Sequence, residues 1–166
     1  MKKIRNLSGV NTYADLLQFV HSTAALSITD AEAIRFYTDS DEEWKQTLLN
    51  ACPPSPEVEK VIVKYGDADT IHLLSVRYGF YPETIAWAMK EGSPDVAEAV
   101  VKNLKGRPSA AAEELMVRRG EAELLKLYLK KFKYLEDDAE KVLNQDPALN
   151  SLLQLYIDLQ SSSLNA

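Results

Sequence analysis

Few residues in this sequence could do covalent or metal chemistry. There are two histidines, His21 and His72, and one cysteine, Cys52. They form no HxxxH, CxxC or HExxH spacing, so the ligand clusters of a zinc site are missing. Asp39, Asp41, Glu42 and Glu43 gather four carboxylates, but without the central glycine and terminal glutamate of a calcium-binding loop. Acids opening a helix explain them, because they meet the positive end of its dipole. Nucleophilic catalysis needs a nucleophile, a base and an orienting group. Cys52 falls at an expected core position, and His72 falls on the outer side of its helix. The glycines never form a phosphate-cradling GxGxxG or GxxxxGK loop. The expectation is a protein with no catalytic residue, no cofactor and no metal.

Cations are distributed less evenly. Lys64, Lys90 and Arg118 recur at equivalent places along the chain, and Arg77, Lys102, Lys130 and Lys131 form a second recurrent set. Side by side, such residues could hold carboxylates or phosphates. A bland alternative competes, since Lys and Arg in the last turn of a helix are favoured by its dipole, by about 0.3–1 kcal/mol each.

The elements that must position these cations are legible as repeats. Thr12, Ser40, Gly66, Gly92, Gly120 and Gln145 mark turns spaced by 28, 26, 26, 28 and 25 residues. Apolar residues recur after each turn at helical spacing. After Gly92 come Val96, Ala97, Ala99, Val100 and Leu104; after Gly120 come Leu124, Leu125, Leu127, Tyr128 and Phe132. Ahead of the turns stand apolar pairs: Phe36/Tyr37, Ile62/Val63, Ala88/Met89 and Met116/Val117. Each repeat reads as a shorter helix, a tight turn and a longer helix. Gly66, Gly92 and Gly120 are expected in the left-handed conformation that ends helices. Ser93-Pro94-Asp95 reads as an N-cap, a proline at N1 and a first-turn acid, and Asp146-Pro147 repeats that logic.

This pattern predicts an all-α fold: a right-handed α-solenoid of about five two-helix repeats, each of about 26 residues. One repeat cannot bury its own apolar face, and stacking supplies the core. The domain is expected over 11–160, with a flexible N-terminus at 1–10 and a flexible tail at 161–166.

With those turns and apolar patterns laid out, the chain resembles short helical-hairpin repeats of the HEAT-like and leucine-rich-repeat-variant kind over roughly 12–160. The resemblance is one of style, and the period is shorter than the ~40–47 residues of HEAT and armadillo units. It implies a binding scaffold, by analogy alone.

Charge narrows the partner. The whole chain carries −6, yet residues 101–133 carry 9 Lys/Arg against 4 Asp/Glu. Overall acidity disfavours nucleic acid, while the basic 101–133 block keeps it as the alternative. The partner expected first is a protein or peptide, acidic in character, held by Lys64, Arg77, Lys90, Lys102, Arg118, Lys130 and Lys131. An enzyme with an unrecognised cleft is the third reading. No apolar run approaches a membrane span, a signal peptide fits poorly and a single cysteine suits a reducing compartment, so a cytoplasmic location is expected. Among the aromatics, Tyr78, Phe80 and Tyr81 bracket Gly79 at an inter-repeat turn, and Tyr65, Trp87, Tyr134 and Tyr156 stand elsewhere; most are expected to pack in the core or at its edge, and a few exposed tyrosines would suit protein contacts.

Overall fold

A computed structural model describes residues 7–21 and 28–164. Among them lie eleven α-helices and no strand. In order these are α1 (Tyr13–His21), α2 (Asp30–Asp39), α3 (Glu42–Ala51), α4 (Pro56–Tyr65), α5 (Ala68–Arg77), α6 (Pro82–Glu91), α7 (Pro94–Asn103), α8 (Ala110–Arg118), α9 (Ala122–Phe132), α10 (Asp137–Gln145) and α11 (Asn150–Leu164). Short 3-10 turns occupy Leu7–Gly9 and Pro147–Leu149. The chain forms two compact units, Met1–Tyr81 and Pro82–Ala166.

Each unit is a stack of hairpins in which a helix packs on the next but one. In the first, α1, α3 and α5 pack in series, beside the pair α2 and α4. In the second, α6, α8 and α10 form one layer and α7, α9 and α11 the other. This is the helical-repeat solenoid arrangement that the periodicity predicts.

Local chemistry sets the helix starts. The side chains of Ser55, Asp67, Ser93 and Ser109 accept from the amides of Val58, Thr70, Val96 and Ala112, at 3.4, 2.8, 3.3 and 3.1 Å. Pro56 and Pro94 follow their caps at the first helical position, where no amide is needed. The apolar pairs ahead of the turns are buried without exception, from Phe36 at 9% exposure to Ile62, Val63 and Ala88 at 0%. Leu48, Leu74, Val100, Leu125 and Tyr128 bury the facing sides of the second helices.

Several local expectations are corrected. Gly66 has φ −80°, and Gly92 is likewise outside the left-handed region; of the glycines only Gly120, at φ 71°, and Gly79, at φ 75°, have positive φ. Gly66 and Gly92 are needed for space instead. A Cβ at either would sit 2.6 Å from a carbonyl oxygen of the helix just ended, that of Ile62 or Ala88. The middle repeats do not pair a shorter helix with a longer one, because α4 to α7 all have ten residues. Asp146 does cap, accepting from the Ala148 amide at 3.0 Å, but it opens the 3-10 turn from which α11 follows. Leu7, within the expected N-terminal segment, is buried and donates its amide to Glu32 at 3.3 Å. At the other end α11 carries helix through Leu164, inside the expected tail. The period after Thr12 predicts a first helix over about 13–25; α1 is described as far as His21, and 22–27 lie outside the described residues.

Candidate interaction surface

The seven candidate cations are divided between the two units. Lys64 and Arg77 belong to the first unit; Lys90, Lys102, Arg118, Lys130 and Lys131 belong to the second. All seven are exposed. Lys64 lies 5.3 Å from the ring of its neighbour Tyr65. Lys90 and Arg118 take equivalent last-turn places on α6 and α8, which pack together. The Arg118 guanidinium is engaged by Glu114 one turn back, at 3.3 Å. A two-residue turn joins α6 to α7, so Lys90 sits beside the start of α7 and Lys102 at its far end. At 1.5 Å per residue, that separates the two sets by about 15 Å.

The structure does bring Lys102, Lys130 and Lys131 together. They border a groove of about 320 Å³ between α7 and α9, completed by Val101 and Leu127. No acidic or aromatic residue lines it. Leu127 is half-buried, as are Leu73 and Ala99 at the same repeat position. Sequence periodicity assigned that column to the core; Phe19 and Leu152 are buried there, whereas in these three repeats the column lies at the edge of the buried stripe. Phe132 and Cys52, also expected in the core, are half-buried too, and Tyr78 is 37% exposed. Burial raises the Cys52 thiol above its ordinary pKa, the opposite of an activated nucleophile. His72 is exposed, as expected.

The three lysines have different roles. The Lys131 ammonium donates to the carbonyls of Val101, at 3.1 Å, and Lys102, at 2.6 Å. It therefore closes the C-terminal end of α7 from the neighbouring helix and fixes the width of the groove. Partial burial lowers its pKa from the ordinary lysine value. Among the described residues, the ammonium groups of Lys102 and Lys130 make no ion pair or hydrogen bond.

Sequence reasoning missed Arg107. Its guanidinium donates to Glu113 at 2.9 Å, to the carbonyls of Phe132 and Tyr134 at 2.9 Å each, and pairs with Glu136 at 3.4 Å. It also lies 4.4 Å from the Tyr134 ring centre. Glu113, 1% exposed, further accepts from the Tyr128 hydroxyl and from the Glu136 amide. Burial first, then the bond to Glu113, pushes the Tyr128 hydroxyl far above its ordinary pKa. Arg107 lies in an inter-repeat loop, outside the helical registers that periodicity can read.

Other features are tied into the fold. The hydroxyls of Tyr78 and Tyr81 donate to the Leu49 and Pro54 carbonyls, at 2.7 and 3.2 Å. Tyr156 is buried rather than available. A cleft of about 390 Å³ beside α2 is lined by Leu7, Phe36, Glu32, Arg35 and Asp39 among others, with charges of both signs. Among the described residues there is no group of three or more His, Cys, Asp or Glu placed to hold a metal. Nor is any described helix long and apolar enough to cross a membrane. No family model, curated protein or solved structure matches the chain.

Proposed function

We propose that this chain is a non-enzymatic protein-interaction scaffold that holds its partner on the α7–α9 face of the second unit. One observation supports this most directly: an apolar floor at Leu127 bordered by two lysine ammonium groups that nothing in the described fold neutralises. Apolar floor and charged rim are the anatomy of a protein-binding patch. Charges at such a rim act chiefly on encounter rate and partner choice.

Nucleic acid remains the rival through the basic 101–133 block. The folded positions favour it less than the sequence does. Lys131 is spent on α7, Arg107 on Glu113, and Arg119 on the carbonyls of Ala88 and Met89 and the carboxylate of Glu121. The test is an affinity capture from native extract by the wild-type chain and by a Lys102→Glu/Lys130→Glu variant, each with and without nuclease. A protein retained after nuclease treatment and lost by the variant supports the scaffold on this face. Recovery of nucleic acid alone overturns the scaffold.

A further inference from the structure

We infer that the α7–α9 groove takes an acidic segment of a partner protein, seating one apolar side chain over Leu127 with carboxylates on either side. This rests on the scaffold reading and specifies the chemistry of its occupant. The apolar part of the site is small. Val101 is fully buried, so Leu127 is the apolar side chain open to a visitor. One Leu- or Phe-sized anchor matches a groove of about 320 Å³.

The polar part selects charge. Lys102 lies on α7, Lys130 on α9, and Lys131 spans the two helices. An occupant lying in the groove therefore passes an ammonium on each wall. A lysine is a point charge without the planar fork of arginine, so Asp and Glu carboxylates are both acceptable. The surrounding fold adds no competing carboxylate to the lining. Lys126, one turn back on α9, is already paired with Glu123 at 3.1 Å and adds less. A nucleic-acid strand fits these features poorly. Single-strand grooves stack bases on aromatic side chains, and none lines this one. Two ammonium groups would contact about two phosphates, too few for tight binding at moderate salt.

Fluorescence-anisotropy titration of the full chain tests this. The probe is a labelled synthetic peptide of about twelve residues, rich in Asp and Glu around one central leucine. Its partners in the test are the same peptide with Leu replaced by Ser, and a labelled twelve-nucleotide oligo-dT. The acidic leucine peptide is expected to bind most tightly, with affinity falling about tenfold on Lys102→Glu/Lys130→Glu and falling again as salt rises. Leu127→Gln is expected to erase the preference for the leucine peptide over the serine peptide, while circular dichroism shows the helical content unchanged. Equal binding of both peptides, binding that survives the double lysine variant, or oligo-dT binding more tightly than peptide each overturns the inference. If extract capture still recovers a nuclease-resistant protein with the double variant, the scaffold stands and only this groove assignment falls.

Discussion

Two stretches of the molecule, 54 residues apart and one in each unit, solve the same junction with different residues. Glu59 and Glu113 are both the fourth residue of a first helix, and both are 1% exposed. Each accepts the amide just ahead of the next first helix, Tyr81 at 2.8 Å or Glu136 at 2.6 Å. Around that shared bond the two differ. Pro53 and Leu74 stand where the second unit has Arg107 and Tyr128. The turn after the second helix carries a positive φ of 75° in both, on Gly79 in one case and Lys133 in the other. Glycine takes that conformation without steric cost; lysine does not. Arg107 bonds the carbonyls on both sides of Lys133, those of Phe132 and Tyr134. The first unit relaxes this turn by glycine, and the second holds it by a cation clamp over a buried carboxylate.

Breaking the clamp should have the largest effect. Arg107→Ala leaves Glu113 buried without its cation and removes both carbonyl bonds. A loss of about 3–5 kcal/mol is expected in urea unfolding. Replacing Arg107 and Glu113 together by Met and Gln should recover part of it, because no bare charge is then left inside. A cost below about 1 kcal/mol for Arg107→Ala would mean that the clamp is ornamental.

The turn itself gives the next effect, with opposite signs in the two units. Gly79→Ala should destabilise by about 1–2 kcal/mol, since it forces a Cβ into positive φ. Lys133→Gly should be neutral or stabilising by up to about 1 kcal/mol, because it removes the same strain. Thermal unfolding of both variants measures this, and like signs would show that the two turns are not equivalent.

The helix that follows each anchor turn extends the comparison. Asp67 caps α5 through the Thr70 amide at 2.8 Å, whereas Glu121, its equivalent, makes no side-chain cap on α9. The bond to the Thr70 amide, chiefly, holds the Asp67 carboxyl below the ordinary aspartate value. A group whose folded pKa is depressed stabilises above its unfolded pKa and loses that contribution as pH falls through the folded one. Asp67→Ala should therefore cost about 1 kcal/mol at neutral pH. The gap between wild type and variant should close as the solution is acidified below the ordinary aspartate range. A gap that persists in acid would assign the effect to something other than the charged cap.

Much of this fold could be read from apolar spacing because burial is periodic, and the pairs Ile62/Val63 and Met116/Val117 sit where the period puts them. What could not be read depends on where chains meet. The left-handed role assumed for Gly66 and Gly92 failed because those glycines answer to a carbonyl oxygen that would lie 2.6 Å from an added Cβ, a clearance set by how steeply one helix turns into the next. The candidate cations were legible as a column but not as a site. Sequence offset cannot tell that Arg118 meets Glu114 on its own helix while Lys131 crosses to α7. Arg107 was silent because it lies in a loop with no period and its partners lie at sequence separations of 6 to 29.

The smallest expected effect separates a strut from a binding residue. Lys131 and Arg77 are equivalent by the 54-residue offset, as are Lys130 and Val76, and Leu127 and Leu73. The first unit thus carries the half-buried leucine without a Lys130 counterpart, and the second carries both. Lys131→Met removes two bonds to the open carbonyls of α7, which then have to be satisfied by water. A cost of about 0.5–1 kcal/mol is expected. Lys102→Met removes no bond within the described fold and should leave stability within about 0.5 kcal/mol of wild type. Chemical denaturation of the two variants, paired with the peptide titration, gives a crossed result if the roles are right. Lys131→Met moves stability more than Lys102→Met does, and Lys102→Met moves peptide affinity without moving stability. If both variants shift stability alone, the lysines of this groove are helix-capping groups throughout, and the cationic columns owe their recurrence to the helix dipole.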